Sequence, residues 1–204
     1  MTVSFWIILF ATALYGVLHS LLAANRVKAL AARWFGSAGY RRGYRFFFSV
    51  VGAISFLPVL LLVARLPDRT LYTIPAPWVF LTVAVQGLAL LGLLWGVMHT
   101  GALRFVGLEQ LFEKPKADSL PERLVVSGLY RWVRHPLYTF SFLLLWLTPV
   151  MTVNVLALNL GLSAYMLIGT IFEENKLVEQ FGPAYLEYRK RTPRIIPGLI
   201  LPRK

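Results

Sequence analysis

The sequence predicts an all-α fold, a polytopic integral membrane bundle of about five transmembrane helices. The last two form a tight helical hairpin, and a cytoplasmic amphipathic segment follows at the C-terminus. Three observations carry this. Of 204 residues, 57% are hydrophobic and only 15% are charged. The apolar residues fall into blocks long enough to cross roughly 30 Å of hydrocarbon at about 1.5 Å rise per residue. All of the 21 Lys and Arg residues except Arg65 and Arg69 fall on alternate loops.

The first span runs near Val3 to Ala24. It is long for a signal peptide and has no basic residue ahead of it, so it reads as mature structure. The loop behind it holds Arg26, Lys28, Arg33, Arg41, Arg42 and Arg45 without one acid, and the second span follows from Tyr44 to Leu66. Arg65 and Arg69 stand against Asp68 in the next loop, before a third span from Pro77 to His99. There Gly92 and Gly96 have the small-xxx-small spacing that lets helices approach closely, and Gln86 lies mid-span and requires a partner inside the bundle.

Arg104, Lys114, Lys116, Arg123, Arg131 and Arg134 precede the fourth span, Pro136 to Met151, which is marginally short for the bilayer and is expected either to tilt or to stop early. The fifth, Thr152 to Phe172, follows with no charged residue between them, which suits a hairpin turning at Thr148-Pro149-Val150-Met151-Thr152 on the far side. Lys176, Arg189, Lys190, Arg191, Arg194, Arg203 and Lys204 occupy the tail. Basic residues are retained on the cytoplasmic side of short loops, so the N-terminus is expected outside and the C-terminus inside.

The net charge of +12 does not imply nucleic acid, because the basic residues flank spans rather than lining a folded surface. They read as topology signals and anchors to anionic lipid in the surrounding bilayer. The absence of cysteine removes disulfides, thiolate metal sites and a cysteine nucleophile together. No repeat or second domain is evident, so residues 1–204 read as one membrane domain.

Chemistry gathers in the last third. In SGLYRWVRHPLY, Arg134 and His135 stand directly before Pro136, and proline is tolerated at a first helical turn because its missing N–H has no partner there. The helix start is expected to form a cytoplasm-facing anion site, reinforced by Arg134 and His135. Glu173-Glu174 closes the apolar run LNLGLSAYMLIGTIF. Two carboxylates at a helix C-terminus repel each other and the dipole, so a cation is expected beside them. The hairpin returns them to the face of Arg134 and His135. An anion-seeking helix start beside a cation-seeking helix end suits a zwitterion with an extra positive charge. In FGPAYLEYRKRTPRIIP, Phe181, Tyr185 and Tyr188 precede Arg189, Lys190 and Arg191, which predicts an interfacial amphipathic segment able to cover the site.

These elements, in this order, resemble the isoprenylcysteine carboxyl methyltransferase and phospholipid methyltransferase superfamily of membrane enzymes. The shared pattern reads here RHPLY at 134–138, EE at 173–174, FGPAYLEY at 181–188 and TPRIIP at 192–197. GLYRWVRHPLY, LTPVMTVN, YRKRTPRIIP and LHSLLAANRVK look most like bacterial methanethiol S-methyltransferases. The resemblance implies a methyltransferase that uses S-adenosyl-L-methionine, with residues 1–121 as scaffold and 122–204 as the cofactor-binding region.

By carry-over, His135, Pro136 and Tyr138 match cofactor-binding positions. Tyr130 and the Leu124-Val125 stretch match the loop around the nucleoside, and Glu173 matches the acid holding the amino group. Arg134, Arg194 and Glu174 are the candidate catalytic residues, and Arg189 and Arg194 the candidate substrate-binding cations that would favour a thiolate. Two departures bear on the acceptor. The isoprenylcysteine branch has glycine where this chain has Phe140, and an arginine contacting the substrate carboxylate where it has Gly169.

A small thiol or another lipophilic acceptor at the membrane is therefore expected, with a prenylcysteine carboxylate or a phospholipid amine as the alternatives. No metal, nucleic acid or obligate protein partner is assigned, and the membrane is expected to be the bacterial inner membrane. Readings from other classes are a non-catalytic membrane accessory protein and a metal or haem protein ligated through His19, His99 and His135.

Overall fold

The computed structural model describes residues 2–99, 101–112 and 123–199. Lys114, Lys116, Arg203 and Lys204 lie outside the described residues, and of His99 only the backbone is described. In chain order the elements are α1 (Val3–Ala23), α2 (Asn25–Arg65), β1 (Thr70–Thr73), α3 (Trp78–His99), α4 (Ala102–Val106), α5 (Leu108–Phe112), a 3-10 turn (Gly128–Arg131), α6 (Pro136–Trp146), β2 (Val150–Thr152), α7 (Val153–Phe181) and α8 (Pro183–Arg191).

Among the described residues, α1, α2, α3 and α7 are long and apolar enough to cross a membrane. Large apolar side chains face outward along them, such as Phe10 and Leu14 on α1, Ile54 and Leu61 on α2, and Phe80, Leu88 and Leu91 on α3. In water such surfaces would drive aggregation; in lipid they are the ordinary exterior. The protein is a polytopic helical membrane protein.

The hairpin differs from expectation in two ways. Its first arm, α6, stops at Trp146 rather than Met151, and 11 residues amount to about 16 Å, half the hydrocarbon thickness. Pro149 has no N–H and restricts Thr148 before it, so the helix cannot continue. The chain then extends into β2, which pairs antiparallel with β1, so the turn is sewn to the loop after α2. The second arm, α7, continues past Phe172 to Phe181, because Asn175 to Phe181 holds neither proline nor glycine and the first break is Gly182, at φ 53°.

The chain divides into two compact units. The first contains α1, α2, β1, α4, α5, β2 and the start of α7. Its apolar centre is Phe5, Ile8, Val153 and Ala157, with Leu62, Val63 and Leu66 packed against it. A Cβ at Gly161 would stand 2.7 Å from the Thr12 methyl, so this glycine lets α7 lie directly on α1. Asn154 is fully buried where α7 starts. Its side-chain amide donates to the Val63 carbonyl at 3.3 Å and the Leu66 carbonyl at 3.1 Å, groups left unpaired by the end of α2. Asp68 accepts from the Asn154 N–H at 3.0 Å.

The second unit contains most of α3, α6, the rest of α7 and α8. Helix α6 lies between two antiparallel neighbours. Toward α3, Gln86 donates to the Leu144 carbonyl at 2.8 Å, meeting the expected need for a partner. A Cβ at Gly92 would stand 2.6 Å from the Phe140 ring, and one at Gly96 2.7 Å from Leu137, so both glycines serve the close packing read from their spacing. Toward α7, Trp146 donates to the Ser163 hydroxyl at 2.9 Å, Gly169 faces Tyr138, and His135 meets Glu173 and Glu174.

The Asn154 contacts generate a stability prediction. Asn154→Asp replaces a buried donor by an acceptor facing two carbonyls and is expected to cost about 3 kcal/mol. Thermal unfolding in detergent checks it, and Asn154→Asp should lie well below Asn154→Ser, which retains a donor.

Candidate active site

The site grows from one proline. Pro136 is buried at the first position of α6, with His135 as the residue before the helix, at φ −126° and ψ 67°. That non-helical conformation turns the Arg134 and His135 N–H groups away from α6. They donate instead to the Pro193 and Arg194 carbonyls at 2.9 and 3.0 Å. The Thr139 hydroxyl adds a bond of 2.6 Å to the Ile195 carbonyl. The segment after α8 is thereby tied along the start of α6.

Arg134 completes the tie. Its Nη1 donates to the Arg189 carbonyl at 2.9 Å and the Thr192 carbonyl at 2.6 Å, at the end of α8. Its Nε and Nη2 donate to Glu174 Oε1 at 3.0 and 2.7 Å. Arg194 approaches the same carboxylate through Nε at 3.2 Å and through Nη2, on Oε2, at 3.3 Å. His135 Nε2 lies 3.3 Å from Oε1. Glu174, 1% exposed, is thus ringed by two guanidiniums and an imidazole.

Glu173 differs sharply, at 51% exposed. Its Oε2 stands 3.5 Å from His135 Nδ1, and its charge acts on the Tyr130 hydroxyl. His135 stacks on Tyr138, with ring centroids 5.5 Å apart and planes 11° from parallel. The two adjacent acids therefore divide, one closed inside an ion cluster and one open beside a wall of aromatic rings.

The cations expected beside the two acids are present, but the reason given for them needs correction. Glu173 and Glu174 lie within α7, eight and seven residues before its end at Phe181, so no helix terminus acts on them. Burial of Glu174 is what demands the cations. The remaining expected residues are placed as follows. Pro136 is buried, Leu124 is half-buried and Val125 is exposed in the extended stretch before the 3-10 turn. Arg189 contributes its carbonyl to Arg134, while Lys190 and Arg191 pair with Glu187 on the outer face of α8. Tyr188 donates to the Tyr130 carbonyl at 2.6 Å, which binds α8 to the 3-10 turn. Tyr185 is buried and its hydroxyl has no hydrogen-bond partner among the described residues; burial first, then the Glu174 charge, pushes its pKa up to about 12.

Sequence reasoning gave Thr139 no role and placed Thr192 and Pro193 only within the TPRIIP pattern, without the contacts that they make. All three act through backbone carbonyls or a hydroxyl on one, and such bonds leave no pattern of residue types.

Burial opposes a charge on His135, but hydrogen bonds to Glu173 and Glu174 and their charges together raise its pKa above the ordinary 6.5. Protonated, it donates to both acids at once. A folded value above the unfolded one gives a contribution fully present below about pH 6.5 and lost as pH rises through the raised value. The thermal midpoint is expected to fall as pH rises through that window, and His135→Gln should flatten the fall.

Residues 103–194 match the family described as "Protein of unknown function (DUF1295)". The chain is 30% identical over 196 residues to methanethiol S-methyltransferase 1 of Bradyrhizobium diazoefficiens, an alignment covering 91% of this chain and 64% of that protein. It is 36% identical over 111 residues to methanethiol S-methyltransferase of Pseudomonas deceptionensis, covering 52% and 42%. It is 39% identical over 91 residues to human protein-S-isoprenylcysteine O-methyltransferase, covering 42% and 30%. The chain thus spans less than two thirds of the length of these relatives. No solved structure matches. The chain is a relative of the methanethiol S-methyltransferases and the protein-S-isoprenylcysteine O-methyltransferases, as its motif order implies, and its residues 103–194 carry the region described as DUF1295.

Proposed function

We propose that this protein is an integral membrane methyltransferase that uses S-adenosyl-L-methionine and methylates a small thiol. The observation that carries the reading is the division between the two acids. Glu174 is saturated by Arg134, His135 and Arg194, which leaves Glu173 half-exposed for a ligand cation. Its surroundings suit the proposed cofactor, because a carboxylate meets an ammonium group and the Tyr138 and Tyr130 rings beside it suit a sulfonium or a nucleoside face. When bound, that cofactor supplies an electrophilic methyl group.

The protein's own part is alignment and exclusion of water. Glu173 holds the ammonium, and His135 and Tyr138 present a stacked aromatic surface. Glu174 and Arg134 keep α7, α6 and the residues after α8 in register. In this reading Arg134 and Glu174 act through other groups. Arg194, 28% exposed in its side chain, is the cation left partly open to an acceptor and would favour its thiolate. Gly169 supports a small acceptor. A Cβ there would stand 3.7 Å from the Tyr138 hydroxyl, so glycine leaves open the position from which a cation would hold a substrate carboxylate. Residues 1–204 are read as one membrane domain, with 122–204 as its cofactor-binding region. It sits in the bacterial inner membrane, with the N-terminus outside and the site facing the cytoplasm.

Glu173→Gln is expected to abolish calorimetric binding of S-adenosylhomocysteine with little change in thermal stability. Glu174→Gln leaves the buried Arg134 guanidinium without its carboxylate and is expected to cost about 3–5 kcal/mol of stability. Wild-type affinity in Glu173→Gln would remove the cofactor assignment. For orientation, a reporter fused after Lys204 is expected on the cytoplasmic side and one inserted at 67–76 outside; both on one side would overturn it.

A further inference from the structure

We propose that the segment Asn25–Phe35 is a membrane-surface element that engages anionic lipid headgroups, with Trp34 and Phe35 as its apolar anchors. Two breaks isolate it. Ala24 is extended, at φ −70° and ψ 140°, and ends α1. Gly36, at φ 71° and ψ 160°, interrupts the helix in a conformation that belongs to glycine. The 11 residues between them reach about 16 Å, too short to cross hydrocarbon, and they carry Arg26, Lys28 and Arg33.

A hydrogen bond sets its level. The Tyr44 hydroxyl donates to the Leu22 carbonyl, one of the unpaired carbonyls ending α1. The end of α1 is therefore fixed beside Tyr44, and the apolar part of α2 starts there. Residues 25–43 fall outside the hydrocarbon, at the headgroups, where Arg41 and Arg42 are also exposed.

The segment is two-sided. Ala31 is buried and Val27 and Lys28 are half-buried. Arg26, Leu30, Arg33 and Trp34 recur at helical spacing on the other side, with Leu30 43%, Trp34 74% and Phe35 72% exposed. Aromatic rings among cations match an interface where an apolar body sinks and a positive head meets phosphate. Charge selects the partner, since no acidic residue occurs before Asp68. A second copy is disfavoured, because a symmetric contact would bring these same cations together. Anionic lipid supplies the missing sign, at about 1 kcal/mol for each Lys or Arg near the surface.

The chain has no cysteine, so Ser37→Cys, at an exposed position beside the aromatic pair, gives one labelling site without background. The labelled full chain is placed in nanodiscs of phosphatidylcholine alone or with phosphatidylglycerol, and quenching of the label by a headgroup-region quencher lipid is read. Quenching is expected to rise in the anionic discs and to fall as salt is added. Adding Arg26→Gln and Arg33→Gln is expected to weaken the engaged arrangement about 30-fold, the equivalent of about 2 kcal/mol. Equal quenching in both lipids, or no salt effect on the chain that retains both arginines, would overturn the proposal. Energy transfer between labelled copies at this position would overturn it in favour of a second copy.

Discussion

A carboxylate cannot be buried in an apolar protein without enough opposite charge and hydrogen bonding to replace the water it loses, and Glu174 imposes that constraint on the second unit. Arg134 and His135 reach it from the start of α6, and Arg194 from the segment after α8. Two pieces of chain, the residues that start α6 and those after α8, must therefore converge on α7. The same contacts explain why Arg134 spends its remaining donor on the carbonyls that end α8. Removing the acid would strand the buried Arg134, and removing Arg134 would take from the acid its shortest ion pair.

The proposed function follows from asymmetry within the pair. Adjacent positions on a helix point in different directions, so Glu173 looks outward while Glu174 looks in. One carboxylate organises the fold, and the proposed function gives its more exposed neighbour to the cofactor. Protonated His135 bridges both, so occupation of Glu173 by a ligand cation also bears on the internal cluster. In the proposed function, that link couples ligand binding at Glu173 to the internal cluster.

Much of the architecture was legible because the bilayer imposes length and sign on the sequence. The long spans, the start of α6 at Pro136, the packing at Gly92 and Gly96 and the bonded Gln86 all follow from single-residue physics. The fourth span was legible as a short arm, but its end at Trp146 and the pairing of β1 with β2 did not emerge, because an apolar run does not show where an extended chain replaces helix or which distant loop receives its hydrogen bonds. At the site, Arg134, His135, Glu173 and Glu174 were found together, but the cations were ascribed to a helix terminus that lies farther on. The segment that holds Arg194 was read as able to cover the site, but the backbone carbonyls of Arg189, Thr192, Pro193 and Arg194 carry no residue-type signal, so the bonds that tie it to α6 were not legible.

The account turns on methyl transfer by the intact membrane protein. Purified protein in lipid, given methyl-labelled S-adenosyl-L-methionine with methanethiol, a prenylcysteine analogue and phosphatidylethanolamine in parallel, tests it directly. Label is predicted in the volatile thioether, with far less in the prenyl ester or the phospholipid. Label in the prenyl ester alone would contradict the acceptor, and no transfer to any of the three by folded protein would contradict the account as a whole.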